Sequence, residues 1–285
     1  MQIYRSLDEV IEAGTIAPDS IVNADCLEAM KLIPDKSIDA IITDLPYGVT
    51  ACKWDTVIPF DLLWEQYKRI IKPNGAIALF GSQPFTSALV MSNPKWFKYE
   101  WIWDKGQGTM PMNAPFQPQK VTETVLVFSN AAATFSKKMQ MKYYPQMEEG
   151  KPYNGGIRGL AKIAFHTAPT KEFKGNIGTR YPRNIIKVTT QRGLHPTQKP
   201  VALIEYLIKT YTIEGELILD NTAGSGTLAI AAINTNRRYL CIEKDPDYFE
   251  VMRVGIENHD PNALVTPKKA RKPKAIPEGQ LRLFG

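Results

Sequence analysis

The sequence predicts an α/β protein built on a doubly wound, mostly parallel sheet. Three observations predict it. Short apolar runs rich in β-branched residues alternate with segments of helical periodicity. Two of those runs end in loops of distinctive composition, Asp44-Leu45-Pro46-Tyr47-Gly48 and Asp220-Asn221-Thr222-Ala223-Gly224-Ser225-Gly226-Thr227. The alternation breaks once, over residues 131–194, and then resumes.

In chain order, residues 37–43 (SIDAIIT) read as a short buried strand. Residues 61–71 carry Leu62, Leu63, Tyr67 and Ile70 on one helical face, and Lys72-Pro73-Asn74-Gly75 is expected to stop that helix. Residues 76–80 (AIALF) form a second buried strand ended by Gly81-Ser82, and residues 125–128 (VLVF) a third. Beyond the break, Pro200 suits a first helical position, with Val201, Ile204, Ile208 and Tyr211 following at helical spacing. A strand over 216–219, a helix over 227–233, a strand over 238–242 and a helix from about 246 to 258 complete the pattern. The expected organisation is therefore 1–130, an interrupting region 131–194, a second half 195–260 of the same domain, and a basic flexible tail 261–285.

The chain of 285 residues is long enough for one sizeable core with an inserted module. It has no apolar stretch of membrane-spanning length and no evident secretory signal. Cys26, Cys52 and Cys241 form no C-x-x-C pair, which favours reduced thiols in a cytoplasmic protein. The net charge is +6. Region 131–194 has twelve Lys and Arg against three Glu, a surplus of +9, interleaved with Tyr143, Tyr144, Tyr153, Phe165, Phe173 and Tyr181. Basic residues mixed with aromatics suit phosphate contact and base stacking; the plain alternative is a solvated loop region with an aromatic cluster.

Each strand-end loop carries a chemistry. Glycines at 224 and 226 let the backbone approach a ligand before the next helix, and Glu243 ends the following strand about 20 positions later, where an acidic residue can grip ribose hydroxyls. On these residues alone the loop suits either a nicotinamide cofactor or S-adenosyl-L-methionine, or is simply a tight strand-to-helix turn. Asp44-Leu45-Pro46-Tyr47 suits an exocyclic amino group. Such a nitrogen is a poor nucleophile because its lone pair is delocalised into the ring. The Asp44 carboxylate and the Leu45 main-chain carbonyl can each accept one N–H and so free that lone pair. Pro46 restrains the Leu45 backbone, and Tyr47 offers a flat face to an extruded base. A third element, His195-Pro196-Thr197-Gln198-Lys199-Pro200, stands directly before a helix, where it could hold a carboxylate.

Together these residues resemble the β-class DNA amino-methyltransferases, whose motifs are circularly permuted. There a D-P-P-Y motif comes first, a target-recognition region follows, then H-P-T-Q-K-P, then D-P-F-x-G-S-G-T. The resemblance runs from about 20 to 258, and His195 to Pro200 match letter for letter. It implies a methyltransferase fold of Rossmann-like type, S-adenosyl-L-methionine as cofactor and double-stranded DNA as partner, acting as monomer or homodimer. It places Asp44, Leu45, Pro46 and Tyr47 at the catalytic centre. It places Asp25, Cys26, Asp44, His195, Pro196, Thr197, Gln198, Lys199, Asp220, Thr222, Ala223, Gly224, Ser225, Gly226, Thr227 and Glu243 around the cofactor, with no metal. Within the resemblance, Asp at position 44 is usual for adenine N6 enzymes and Ser for cytosine N4 enzymes, so adenine N6 is expected and cytosine N4 is the alternative. An inactive DNA-binding subunit is a further alternative. Two departures stand out: Leu45 replaces the first Pro of D-P-P-Y, and Asn221-Thr222 replace Pro-Phe, removing a ring that would pack near the cofactor. At the carboxyl end, Gln280, Leu281, Leu283 and Phe284 look like the short peptide by which bacterial proteins bind the replication sliding clamp.

Overall fold

The computed structural model describes residues 1–48, 55–109, 111–154, 177–190 and 198–261, with the backbone of 156–157 and 172–173. His195, Pro196, Thr197, Phe165 and the clamp-like peptide from Gln280 to Phe284 lie outside the described residues. In chain order the strands are β1 (Gln2–Tyr4), β2 (Ser20–Asn23), β3 (Ile38–Thr43), β4 (Ile71–Gly81), β5 (Phe97–Thr109), β6 (Lys120–Phe128), β7 (Glu148–Glu149), β8 (Gly156–Ile157), β9 (Glu172–Phe173), β10 (Thr179–Arg180), β11 (Ile185–Lys187), β12 (Leu217–Asp220) and β13 (Arg238–Glu243). The helices are α1 (Leu7–Ala13), α2 (Cys26–Lys31), α3 (Phe60–Ile70), α4 (Phe85–Ser92), α5 (Val201–Tyr211), α6 (Thr227–Asn234) and α7 (Pro246–Glu257).

Nine strands form one sheet in the order β1-β2-β13-β12-β3-β4-β6-β5-β11. Pairing is parallel except where β6 runs antiparallel between β4 and β5. The expected mostly parallel, doubly wound α/β sheet is what forms, and both its faces are covered. The side chains of α5, α6 and α7, among them Leu203, Leu207, Leu228, Phe249 and Met252, bury one face. Those of α1 to α4, among them Val10, Met30, Leu63, Tyr67 and Leu89, bury the other. Burial on both sides explains why β3 and β12 read as unbroken apolar runs rather than alternating ones.

Three details differ from the expectations. The segment 72–75 is no separate loop: Ile71 already pairs with Ile38, and the register shifts before Ala76 pairs with Ala40. Pro200 is the cap of α5 in an extended conformation, one position before the first helical residue. Region 131–194 is tied into the main body at both ends. Met141 and Ile186 are buried in the core, and β11 joins the sheet beside β5. Lys142 is one of the twelve basic residues of that region, yet it is half-buried in ion pairs with Asp39 (2.7 Å) and Glu216. It holds the sheet together and is not free to meet a polyanion. Among the described residues, no helix is long and apolar enough to cross a membrane.

Candidate active site

All strands from β1 to β4 in spatial order point the same way, so their carboxyl ends share one edge, the edge at which open α/β sheets bind ligands. Along it stand Asp25 after β2, Glu243 at the end of β13, Asp220 at the end of β12, and Asp44 after β3. The two distinctive loops, nearly 180 residues apart in sequence, thus occupy adjacent strand ends, because β12 pairs directly with β3.

The two loops are stitched together by side chains. Thr43 Oγ1 lies 2.7 Å from Asp220 Oδ1 and 2.7 Å from Thr222 Oγ1. The Thr222 hydroxyl donates to the Asp44 main-chain carbonyl at 3.0 Å. The Thr43 hydroxyl donates to Asp220, and burial pushes the Asp220 carboxyl up to about 7, with the Asp44 and Glu243 charges adding to it, against the bonds from Thr43 and the Thr222 N–H. Beside this chain, the buried Tyr67 hydroxyl donates to Asn221 Oδ1 at 2.6 Å. Asn221 and Thr222 are the positions that depart from the family pattern, and they brace the junction of the two loops.

Around the Asp44 carboxylate the charges are dense. The Tyr47 hydroxyl donates to Oδ1 at 2.5 Å, and the Lys199 ammonium pairs with Oδ2. Tyr47 stacks on Phe85 with ring centroids 5.0 Å apart. Burial, reinforced by the Asp44 charge, raises the Tyr47 hydroxyl well above its ordinary value, so it stays a donor. Lys199 is also 3.4 Å from Glu123 Oε2, and Lys105 holds the other Glu123 oxygen at 2.9 Å. Burial works against the Lys199 charge, but Asp44 and Glu123 outweigh it and hold the ammonium above the ordinary lysine value. A carboxylate has about four acceptor positions, so two donors on Asp44 leave room for an incoming N–H.

The glycine loop is built for close approach. Gly224 and Gly226 have φ +54° and +81°. A Cβ on Gly224 would meet open space, whereas one on Gly226 would lie 2.6 Å from Met252 Cγ. Gly226→Ala is therefore expected to destabilise the fold by about 1–3 kcal/mol, read as a lower urea midpoint; an unchanged midpoint would refute the packing argument. Glu243 pins the loop, accepting the Gly224 N–H at 2.7 Å and the Asp245 N–H at 2.8 Å. Asp25 caps α2 through the Leu27 N–H and pairs with Lys244 at 3.1 Å. Burial pushes the Cys26 thiol up to about 11, so it sits there neutral.

Residues 38–254 match the N6/N4 methylase family, described as DNA methylase. The chain belongs to this family. The methylase is 26% identical over 251 residues to the Type II methyltransferase M.HpaI of Haemophilus parainfluenzae, covering 84% of this chain and 74% of that one. Its fold is similar to that of the M1.HpyAVI–SAM complex, with TM-score 0.54 and 25% identity over 82% of this chain and 97% of the other. It is also similar, in fold alone, to the cytosine-N4-specific PvuII DNA methyltransferase, with TM-score 0.58 and 15% identity over 87% and 89%.

The methylase is a DNA methyltransferase that uses S-adenosylmethionine. Its residues fit that cofactor. There is open space over Gly224, carboxylates stand at three neighbouring strand ends, and Gln198 Oε1 is buried without a hydrogen-bond partner among the described residues. Of the residues anticipated for the cofactor, the structure gathers Asp44, Lys199, Asp220, Thr222 to Thr227 and Glu243 at one edge. Asp25 and Cys26 stand one strand beyond β13. Lys199 reaches Asp44 itself. Thr43, Glu123 and Lys105 were not anticipated. Thr43 immediately precedes Asp44, and Glu123 opens the strand-like run ETVLVF, but only the sheet shows what they touch.

Proposed function

We propose that the methylase transfers a methyl group to the N6 amino group of adenine, in a base flipped out of double-stranded DNA at a specific sequence. One observation carries this reading: the Asp44 loop and the glycine loop abut, joined by the Thr222 hydroxyl on the Asp44 carbonyl at 3.0 Å. The amino-acceptor pocket and the cofactor cradle then lie within a few ångströms. When bound, S-adenosylmethionine supplies a methyl already activated on a sulfonium.

The chain's own residues do the rest. The Asp44 carboxylate accepts one N–H of the amino group, and the Leu45 main-chain carbonyl accepts the other. This draws the nitrogen lone pair out of conjugation. Leu45 replaces proline, but its side chain is buried in the core, and that packing supplies restraint the ring would have given. Tyr47, braced by Phe85, presents a ring to the extruded base. As the nitrogen gains its methyl it sheds a proton, and Asp44, with Lys199 and Tyr47 sharing its charge, is placed to receive it. Asp at position 44 supports adenine over cytosine. The early position of the Asp44 loop and the late position of the glycine loop support the permuted β-class.

The exposed remainder of 131–194 is the candidate DNA reader. Tyr143, Tyr144 and Tyr181 are exposed, and the Arg180 guanidinium lies 4.4 Å from the Tyr153 ring centroid. Single-molecule sequencing of DNA from cells expressing the chain, with mass spectrometry of its nucleosides, is the test. N6-methyladenine at one recurring site is the expected result. N4-methylcytosine would overturn the base assignment, and unmodified DNA would overturn the reading as a whole.

A further inference from the structure

One projecting element is used by nothing described so far. The strand β4 ends at Gly81, opposite Thr124 of β6. β6 and β5 continue past that level as a hairpin, pairing Trp103 with Glu123, Asp104 with Thr122 and Thr109 with Lys120. Four residues of β6 lie beyond the end of β4, so the hairpin overhangs the carboxyl edge by roughly 13 Å. Its root is at the active centre. Glu123 is the first residue past the end of β4 and lies 3.4 Å from the Lys199 ammonium that holds Asp44. Lys120 ties the hairpin to Ser82, in the loop after β4.

The tip has an unusual composition for a surface loop. Residues 106–109 and 111–121 are exposed, and residues 106–119 contain no Lys, Arg, Asp or Glu. Among the described residues, Met112 and Phe116 are the large apolar side chains there, 89% and 88% exposed. With no Lys or Arg, the tip makes no ion pair with the phosphates that dominate non-specific DNA affinity. Its exposed Phe116 ring and Met112 side chain match the apolar faces of stacked bases. A flipped base leaves such faces uncovered in the helix directly above the pocket that receives it.

We propose that the β5–β6 hairpin tip is a wedge: Phe116, supported by Met112, enters the duplex beside the target nucleotide and fills the space it leaves. The inference rests on the base-flipping reading above and names the part of the chain that drives extrusion.

The test uses the full chain and two duplexes carrying the site mapped by sequencing. In one the target base is normally paired; in the other the opposing nucleotide is abasic, so extrusion is already easy. Single-turnover methyl transfer is measured for wild type and for Phe116→Ala combined with Met112→Ala. Both side chains are exposed, so the thermal midpoint serves as a folding control. The double variant is expected to lose about tenfold or more on the paired duplex and to come within about threefold of wild type on the abasic-opposed one. Equal losses on both duplexes, or no loss on either, would overturn the wedge. Wild type inactive on both duplexes would instead sink the base-flipping reading itself.

Discussion

Asp44→Ala is expected to abolish methyl transfer, lowering the single-turnover rate by about a thousandfold or more, while S-adenosylmethionine affinity stays within about threefold of wild type. The two halves of this expectation come from two parts of one residue. In the proposed reaction the side chain is the acceptor for the amino group, and it carries the Tyr47 and Lys199 bonds. The main-chain carbonyl takes the Thr222 hydroxyl that braces the cofactor loop, and alanine keeps that carbonyl. Lys199 retains Glu123 at 3.4 Å, so truncation leaves no buried cation without a partner. Methyl transfer to DNA and calorimetric titration of the cofactor check the two halves separately. A variant as active as wild type would refute Asp44 as the acceptor; a variant that loses cofactor binding in step with rate would make it structural.

The second large effect concerns Asp220 and pH. Its folded carboxyl titrates at about 7, whereas in an unfolded chain an aspartate titrates near 4. Between those values the folded state holds a proton that the unfolded state has released, so stability falls as pH rises. This contribution is fully present below about pH 4 and is lost as the pH climbs through 7. The difference corresponds to roughly 4 kcal/mol. Asp220→Asn replaces the carboxyl with a neutral amide whose oxygen can still accept from Thr43, and it cannot ionise. Urea unfolding of wild type and variant at pH 5 and pH 8 gives the comparison. The variant is expected to gain on wild type by roughly 2–3 kcal/mol on going from pH 5 to pH 8, and parallel pH profiles would contradict the raised Asp220 carboxyl.

Much of the frame was legible in the chain itself. β3, β12, β13 and their following loops were readable because strands buried on both faces leave long apolar runs, and because Gly, Pro and Asp mark where those runs end. The direction of β6 was not readable: VLVF looks the same running either way, and only pairing with Gly81 and Trp101 shows it to be antiparallel. A three-residue strand such as β11 is too short to leave a period. At the site, Asp44, Asp220 and the glycines announced themselves by position in a loop. Thr43, Glu123 and Lys105 did not, because their roles depend on partners contributed by other strands. Lys199 was noticed for its motif, yet its contact with Asp44 crosses 155 positions and no local pattern encodes it. The same limit applies to Asn221 and Thr222, which departed from the family pattern and read as a loss until their hydrogen bonds were visible.

The position of β12 and β13 has a consequence for biosynthesis. They sit between β2 and β3, both made from the first 43 residues. When the amino-terminal half emerges from the ribosome, those two early strands must stay roughly 14 Å apart, or leave a slot that nothing yet fills. The slot closes only when residues 217–243 arrive, so a nascent chain stopped short of them has two open strand edges and no cradle for its methyl donor. Such sequence-distant pairing predicts slow closure relative to helical folds of this size. A partly synthesised chain can therefore hold the Asp44 loop without the glycine loop that stands beside it in the finished sheet.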